Sequence, residues 1–340
     1  MKRIVSAALV AAASCLNFNI AHAQTGVLAQ VKARGQLTCG VSPGLAGFGV
    51  PDAQGNWTGL DVDLCRAISA AIFNDPAKVK FVPLTSKDRF TALQAGEVDL
   101  LSRTSTWTMA RDTALGITFA GVNYYDGQAF MIHKKLGVDS ALKLSGASIC
   151  AQQGTTTELN LADFFRANNL KYDLVSFGTG DEAIKAYESG RCDAYTDDSS
   201  ALYAERLNLK DPQDSIVLPE IISKEPLGPV VRSGDVQWFN LVKWTHNAML
   251  NAEELGVTRA NVDEQLKSSN PEVKRLLGTE GKFGEAIGLT NDWAYRIVKH
   301  VGNYGEAFEH DVGMGSVLKI ARGKNALWSK GGLQYAPPIR

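Results

Sequence analysis

At 340 residues the chain is longer than one simple hydrophobic core comfortably supports, so two lobes are expected. The net charge of −1, with charged residues at 21% and both signs mixed throughout, leaves no basic surface for nucleic acid. Beyond the N-terminal segment no apolar run approaches the roughly 18 to 20 residues of a membrane span.

The chain begins with Lys2 and Arg3, an apolar run from Ile4 to Leu16, and Ala21-His22-Ala23 ahead of Gln24. This is the pattern of an export signal, with cleavage expected after Ala23. Cys15 lies inside it, and the Ala12-Ala13-Ser14 before it lacks the large aliphatic residue usual before a lipidated cysteine. The remaining cysteines are Cys39, Cys65, Cys150 and Cys192, an even set that in an exported chain points to disulfides. Three pairings are formally open, and four buried thiols are the alternative. Pairing Cys39 with Cys65 and Cys150 with Cys192 joins neighbouring elements within one lobe, each loop closure stabilising by about 3 to 4 kcal/mol.

The first lobe reads as strand Gln36 to Val41, helix Asp61 to Phe73, strand Val79 to Pro83, helix Arg89 to Gln94 and strand Val98 to Leu101. That alternation predicts a parallel sheet. Leu64, Ile68 and Ile72 give the first helix one apolar face, and Asp61 and Asp63 fall in its first turn, where they read as caps complementing the dipole. A hydroxyl-rich turn follows, Thr104, Thr106 and Thr108 ending in Arg111.

The pattern restarts after Gly137: strand Ala147 to Ala151, helix Thr156 to Ala167, strand Tyr172 to Phe177, helix Asp181 to Ser189, strand Asp193 to Thr196, helix Ser199 to Leu207 and strand Ile216 to Leu218. Gly154-Thr155-Thr156 opens a helix directly after a strand, presenting free N–H groups and hydroxyls to an anion. Segments Tyr125 to Met131 and Ser223 to Val231 are the natural crossings between lobes, and two crossings make a hinge. Lobe 1 is therefore expected at 24–127 with 228–340, and lobe 2 at 128–227. An amphipathic helix from Val236 to Leu255 returns to lobe 1, and the segment after it is less readable.

Gly59-Leu60-Asp61-Val62-Asp63-Leu64 resembles the signature of the family 3 periplasmic solute-binding proteins, the polar amino-acid receptors of ABC importers. The likeness continues through Gly96-Glu97-Val98-Asp99, the turn ending at Arg111, Gly154-Thr155-Thr156, and Gly190 to Asp198. It covers Gln36 to Arg232, with Ser69 a small departure. The tail Gly331-Gly332-Leu333-Gln334-Tyr335-Ala336-Pro337-Pro338 is similar to that of the general L-amino-acid binders and the related glutamate/glutamine/aspartate/asparagine binders. The resemblance implies a type II periplasmic-binding-protein fold, two α/β lobes joined by a two-stranded hinge. It also implies an L-amino acid ligand, an inner-membrane ABC permease as partner, a periplasmic monomer, and no cofactor or metal.

The residue chemistry runs parallel to that expectation. A zwitterion entering a closed cleft needs both charges compensated, because an unpaired buried ion costs several kcal/mol. Arg111 can fork onto an α-carboxylate, with Thr106 and the N–H groups at Thr155 and Thr156 as further donors. Asp198, at the C-terminal end of a strand, can take the α-ammonium with an acceptor around Thr104. Taken singly, a surface ion pair for Arg111 and a helix cap for Asp198 are equally good readings; their joint spacing favours a site. Family members that recognise basic side chains usually carry an acid and an aromatic in the first loop, where this sequence has Ser42 and Leu45, so the resemblance argues against a dedicated lysine, arginine or histidine receptor. Ser86 and Arg89 resemble glutamate-type members, so a cation there can meet a side-chain carboxylate or amide, with Phe48 as an apolar wall and Arg103 as a further contributor; a helix-surface charge is an equally good reading of Arg89. No nucleophile with a nearby base can be assembled, the histidines are scattered, and Gly278 to Phe283 falls short of a P-loop. The same fold also hosts prephenate or arogenate dehydratases, so an enzyme is the alternative.

Overall fold

Two five-stranded sheets with the same strand order organise residues 26–340, which the structure, a computed structural model, describes. The expected export signal, Cys15 and the cleavage point lie outside the described residues. In lobe 1 the order is Val79–Pro83, Leu37–Val41, Leu100–Leu101, Val230–Arg232, Ile117–Phe119. In lobe 2 it is Tyr172–Phe177, Ala147–Gln152, Ala194–Asp198, Gln128–His133, Ser215–Val217.

The first three strands of each sheet are parallel, as the alternation predicts. The fourth runs antiparallel in both, so the lobe 1 sheet is mixed rather than parallel throughout. The reason is topological: the fourth strand in each lobe is the one by which the chain arrives from the other lobe, and it enters from the opposite end. Gln128–His133, expected as part of a crossing, is accordingly a core strand, buried from Gln128 to Ile132.

The crossing itself is shorter, a ribbon in which Tyr124–Asp126 pairs antiparallel with Glu225–Leu227. Gly127 ends it, and no side chain fits there: a Cβ would lie 2.2 Å from Ile221 Cγ2 and 2.8 Å from the Ser223 carbonyl. The helix Val236–Glu254 returns to lobe 1, followed by the short helices Val262–Gln265, Pro271–Leu277, Phe283–Ala286, Trp293–His300 and Tyr304–Asp311. Their apolar faces join the lobe 1 core, which also contains Val27 and Leu28 near one end of the chain and Ala336 and Ile339 near the other.

Disulfides join Cys39 to Cys65 and Cys150 to Cys192, with Cα separations of 6.3 and 5.7 Å. The first ties the strand Leu37–Val41 to the helix Leu60–Phe73, and the second ties Ala147–Gln152 to the turn before Ala194–Asp198.

Candidate ligand-binding cleft

A cavity of about 270 Å³ lies where the C-terminal ends of the parallel strands of both lobes face one another. Lobe 1 lines it with Ser42, Leu45, Ser86, Arg89, Arg103, Thr104 and Thr106; lobe 2 contributes Gln152, Thr155, Thr156, Asp197, Asp198 and Glu205 among others. The cleft is closed. Thr106 Oγ1 of lobe 1 lies 3.4 Å from Thr156 Oγ1 of lobe 2. Gly154, at φ +75°, brings lobe 2 so near that a Cβ would sit 3.3 Å from Lys87 Cα.

The lobe 1 wall is cationic. Arg89 is 3% exposed, its Nε has no hydrogen-bond partner, and its guanidinium lies 4.8 Å from the centre of the Phe90 ring. Burial, then the nearby Arg103 and Arg111, depress its pKa strongly. Arg103 donates from Nε to the Leu84 carbonyl at 2.8 Å and from Nη2 to Ser86 Oγ at 3.0 Å, and burial brings its pKa down to about 10. Arg111 is set by the helix Met109–Ala114, whose cap Thr108 accepts from the Arg111 N–H at 3.2 Å. Its Nη1 donates to the Thr106 carbonyl at 2.9 Å, and burial lowers its pKa too. Among the described residues none of the three arginines stands within 4.0 Å of a carboxylate.

The acids sit opposite. Asp198 has its pKa raised well above 3.8 by burial first, then by Asp126, Asp197 and Glu225. Asp126, held by Ser200 and by the Gly127 N–H at 2.9 Å, is pushed up to about 6 by burial. Asp197 accepts from Tyr195 OH at 3.0 Å. Glu225, 1% exposed in the hinge ribbon, accepts from Thr156 Oγ1 at 2.9 Å, Asn160 Nδ2 at 2.6 Å and Ser223 Oγ at 2.7 Å. A closed cavity with guanidinium groups on one side and carboxylates on the other suits a ligand carrying both signs of charge.

Of the expected contacts, Thr104, Thr106, Thr155, Thr156, Asp198, Ser86 and Arg89 line the cavity. Thr155 turns its hydroxyl to the Gln152 carbonyl at 2.7 Å, away from the helix it precedes, so the first-turn N–H groups keep no side-chain cap. Phe48 is not a wall: it is 1% exposed in the lobe 1 core, edge-on to Tyr124 at 5.1 Å. Arg111 stands one layer back, behind Thr106.

Asp61 corrects its reading as a cap. The helix Leu60–Phe73 is preceded by Gly59 with no side-chain cap, and Asp61 is 2% exposed, accepting from Ser102 Oγ at 3.1 Å, the Thr104 N–H at 2.8 Å and Asn123 Nδ2 at 3.0 Å. It holds Thr104 in its uncommon backbone conformation, φ +38°. Glu225 and Asp197 escaped the sequence reading. The signal for Glu225 was an acid before Pro226 in a crossing segment, and nothing marked Asp197 apart from its neighbour.

The sequence profile of the bacterial extracellular solute-binding proteins, family 3, matches residues 37–260. This chain belongs to that family. The solute-binding protein is 59% identical to the general L-amino acid-binding periplasmic protein AapJ of Rhizobium johnstonii over 340 residues, 99% of each chain. It is 54% identical to the glutamate/glutamine/aspartate/asparagine-binding protein BztA of Rhodobacter capsulatus over 94% of each. A solved periplasmic binding protein from Brucella ovis with glutathione bound is similar at a TM-score of 0.91 and 61% identity, covering 93% of this chain and 99% of that one. The family profile stops at residue 260, while these relatives run alongside the C-terminal extension as well.

Proposed function

We propose that this solute-binding protein captures L-amino acids in the periplasm, glutamate, glutamine, aspartate and asparagine among them, and delivers them to an inner-membrane ABC permease. The observation that carries the reading is the closed cavity in which, among the described residues, Arg89 and Arg103 have no carboxylate within 4.0 Å and Asp198 no cation within 4.0 Å. The α-carboxylate meets Thr106 and the N–H groups at Thr155 and Thr156, with Arg111 adding its charge from behind. The α-ammonium meets Asp198 and the Thr104 region, and a side-chain carboxylate or amide meets Ser86 and Arg89. The names of AapJ and BztA agree in ligand class.

Lobe 1 is taken as 24–127 with 228–340 and lobe 2 as 128–227, with cleavage after Ala23 and a monomeric mature protein; intact mass and sedimentation check the last two. Calorimetry of the mature protein with the twenty L-amino acids and glutathione tests the central claim. Heat of binding from acidic amino acids or their amides is expected, and silence across the panel overturns it. Glutathione belongs in the panel because the Brucella ovis protein holds it. The protein binds without conversion: prephenate and arogenate should be recovered unchanged, and their dehydration would establish the enzyme alternative.

A further inference from the structure

We infer that Asn325, in the C-terminal extension beyond the family profile, is a positioning residue that holds the hinge ribbon in its closed-cleft form; the inference rests on the receptor reading above. A two-stranded ribbon has two free edges, each offering backbone groups that need partners. One edge is occupied from lobe 1, where the Trp107 N–H donates to the Pro226 carbonyl at 2.8 Å and the Gly228 N–H donates to the Ser105 carbonyl at 3.0 Å. The other edge belongs to Tyr125, which faces Pro226 across the ribbon.

Asn325 closes that edge. The Tyr125 N–H donates to its Oδ1 at 2.7 Å, and its Nδ2 donates to the Tyr125 carbonyl at 3.1 Å. A side-chain amide carries the same donor and acceptor as a peptide group, so one residue serves as a third strand. Asn325 is 4% exposed, and its own carbonyl accepts from Arg322 Nη2 at 3.0 Å. Arg322 in turn pairs with Glu253 at 3.1 Å and lies 4.8 Å from the centre of the Phe308 ring. The clamp is thereby anchored to the body of lobe 1. It acts on the residue before Asp126, whose carboxylate holds Ser200 in lobe 2, so it sits where the chain passes between lobes. Both bonds are satisfied with the cleft shut, and bending the ribbon to open it moves Tyr125 against a fixed amide.

The test uses the full mature protein with nitroxides on Lys143→Cys in lobe 2 and Lys282→Cys in lobe 1, read by pulsed EPR without ligand. Stopped-flow dissociation of L-glutamate is measured on the unlabelled protein. Asn325→Ala should lengthen the interlobe distances and raise the dissociation rate constant roughly tenfold, as losing two modest hydrogen bonds from the closed state implies. Asn325→Asp has the same size and keeps the acceptor but sets an oxygen against the Tyr125 carbonyl. It should behave like the alanine variant, whereas a residue that only fills space would leave it like the parent. Melting curves confirm folding of both. Parent-like distances and dissociation in the two variants overturn the inference. If the parent itself binds no amino acid, the receptor reading has failed, and the EPR distances alone decide the clamp.

Discussion

Replacing Asp198 by Asn should make the ligand-free protein more stable and the receptor worse. Asp198 is buried among Asp126, Asp197 and Glu225, and its pKa is raised by burial and by those acids. A carboxyl with a raised folded pKa favours the fold most below its ordinary value of 3.8, and that contribution is lost as pH rises through the folded value. At pH 8 the parent therefore carries an electrostatic penalty that Asn removes, and melting should rise by roughly 2 to 4 °C per kcal/mol relieved. Binding moves the other way. Truncating one partner of a buried charge pair costs about 2 to 5 kcal/mol, roughly 30-fold to several thousand-fold in Kd. Every amino acid shares the α-ammonium, so all should weaken alike. Differential scanning fluorimetry at pH 4 and pH 8 with calorimetry at pH 8 reads both effects: the melting gain should be small at pH 4 and larger at pH 8. Parent-like affinity, or a melting point that falls at pH 8, would refute the assignment of Asp198 as an uncompensated ammonium partner.

Arg111→Ala removes a charge that acts from behind Thr106, so it should weaken all amino acids by about 1 to 2 kcal/mol, less than the loss of a direct partner, while the fold survives; calorimetry showing parent affinity would leave Arg111 no part in binding. Arg89→Ala should weaken glutamate and aspartate by about 1 to 3 kcal/mol more than alanine or leucine; an unchanged glutamate-to-alanine ratio sinks the selectivity role. Asp61→Ala leaves three buried donors without an acceptor and should destabilise by about 3 kcal/mol in urea unfolding, with weaker binding as Thr104 is released. A loss below about 0.5 kcal/mol would contradict the tether.

Local pattern carried the elements that depend on near neighbours. The helices Leu60–Phe73 and Thr156–Ala167 and the strands Val79–Pro83 and Tyr172–Phe177 lie where periodicity places them, within a residue. What periodicity does not hold is direction and depth. The short strand Ile117–Phe119 and the antiparallel fourth strands owe their existence to partners distant in sequence, such as Val230 for Phe119 and Ala194 for Ile132. Asp61 read as a cap because its helix position is local, while its donors come from Ser102, Thr104 and Asn123. Phe48 read as a wall because an aromatic near a loop faces either way, and only the packing of Tyr124 decides. The extension was opaque because its role lies in single contacts such as Asn325 on Tyr125, which leave no periodic trace.

That the lobe 1 core draws together Val27 and Ile339 bears on the order in which the molecule assembles. The lobe 2 sheet is built from one uninterrupted length of chain, with its own disulfide, so everything it needs is available before the C-terminal part of lobe 1 has been made. Lobe 1 is split around it, and its apolar surface has no complete partner until the last turn of the chain has arrived. The segment encoded last thus completes the lobe encoded first, and premature release of the C-terminal end would leave a finished lobe 2 attached to an open, adhesive lobe 1.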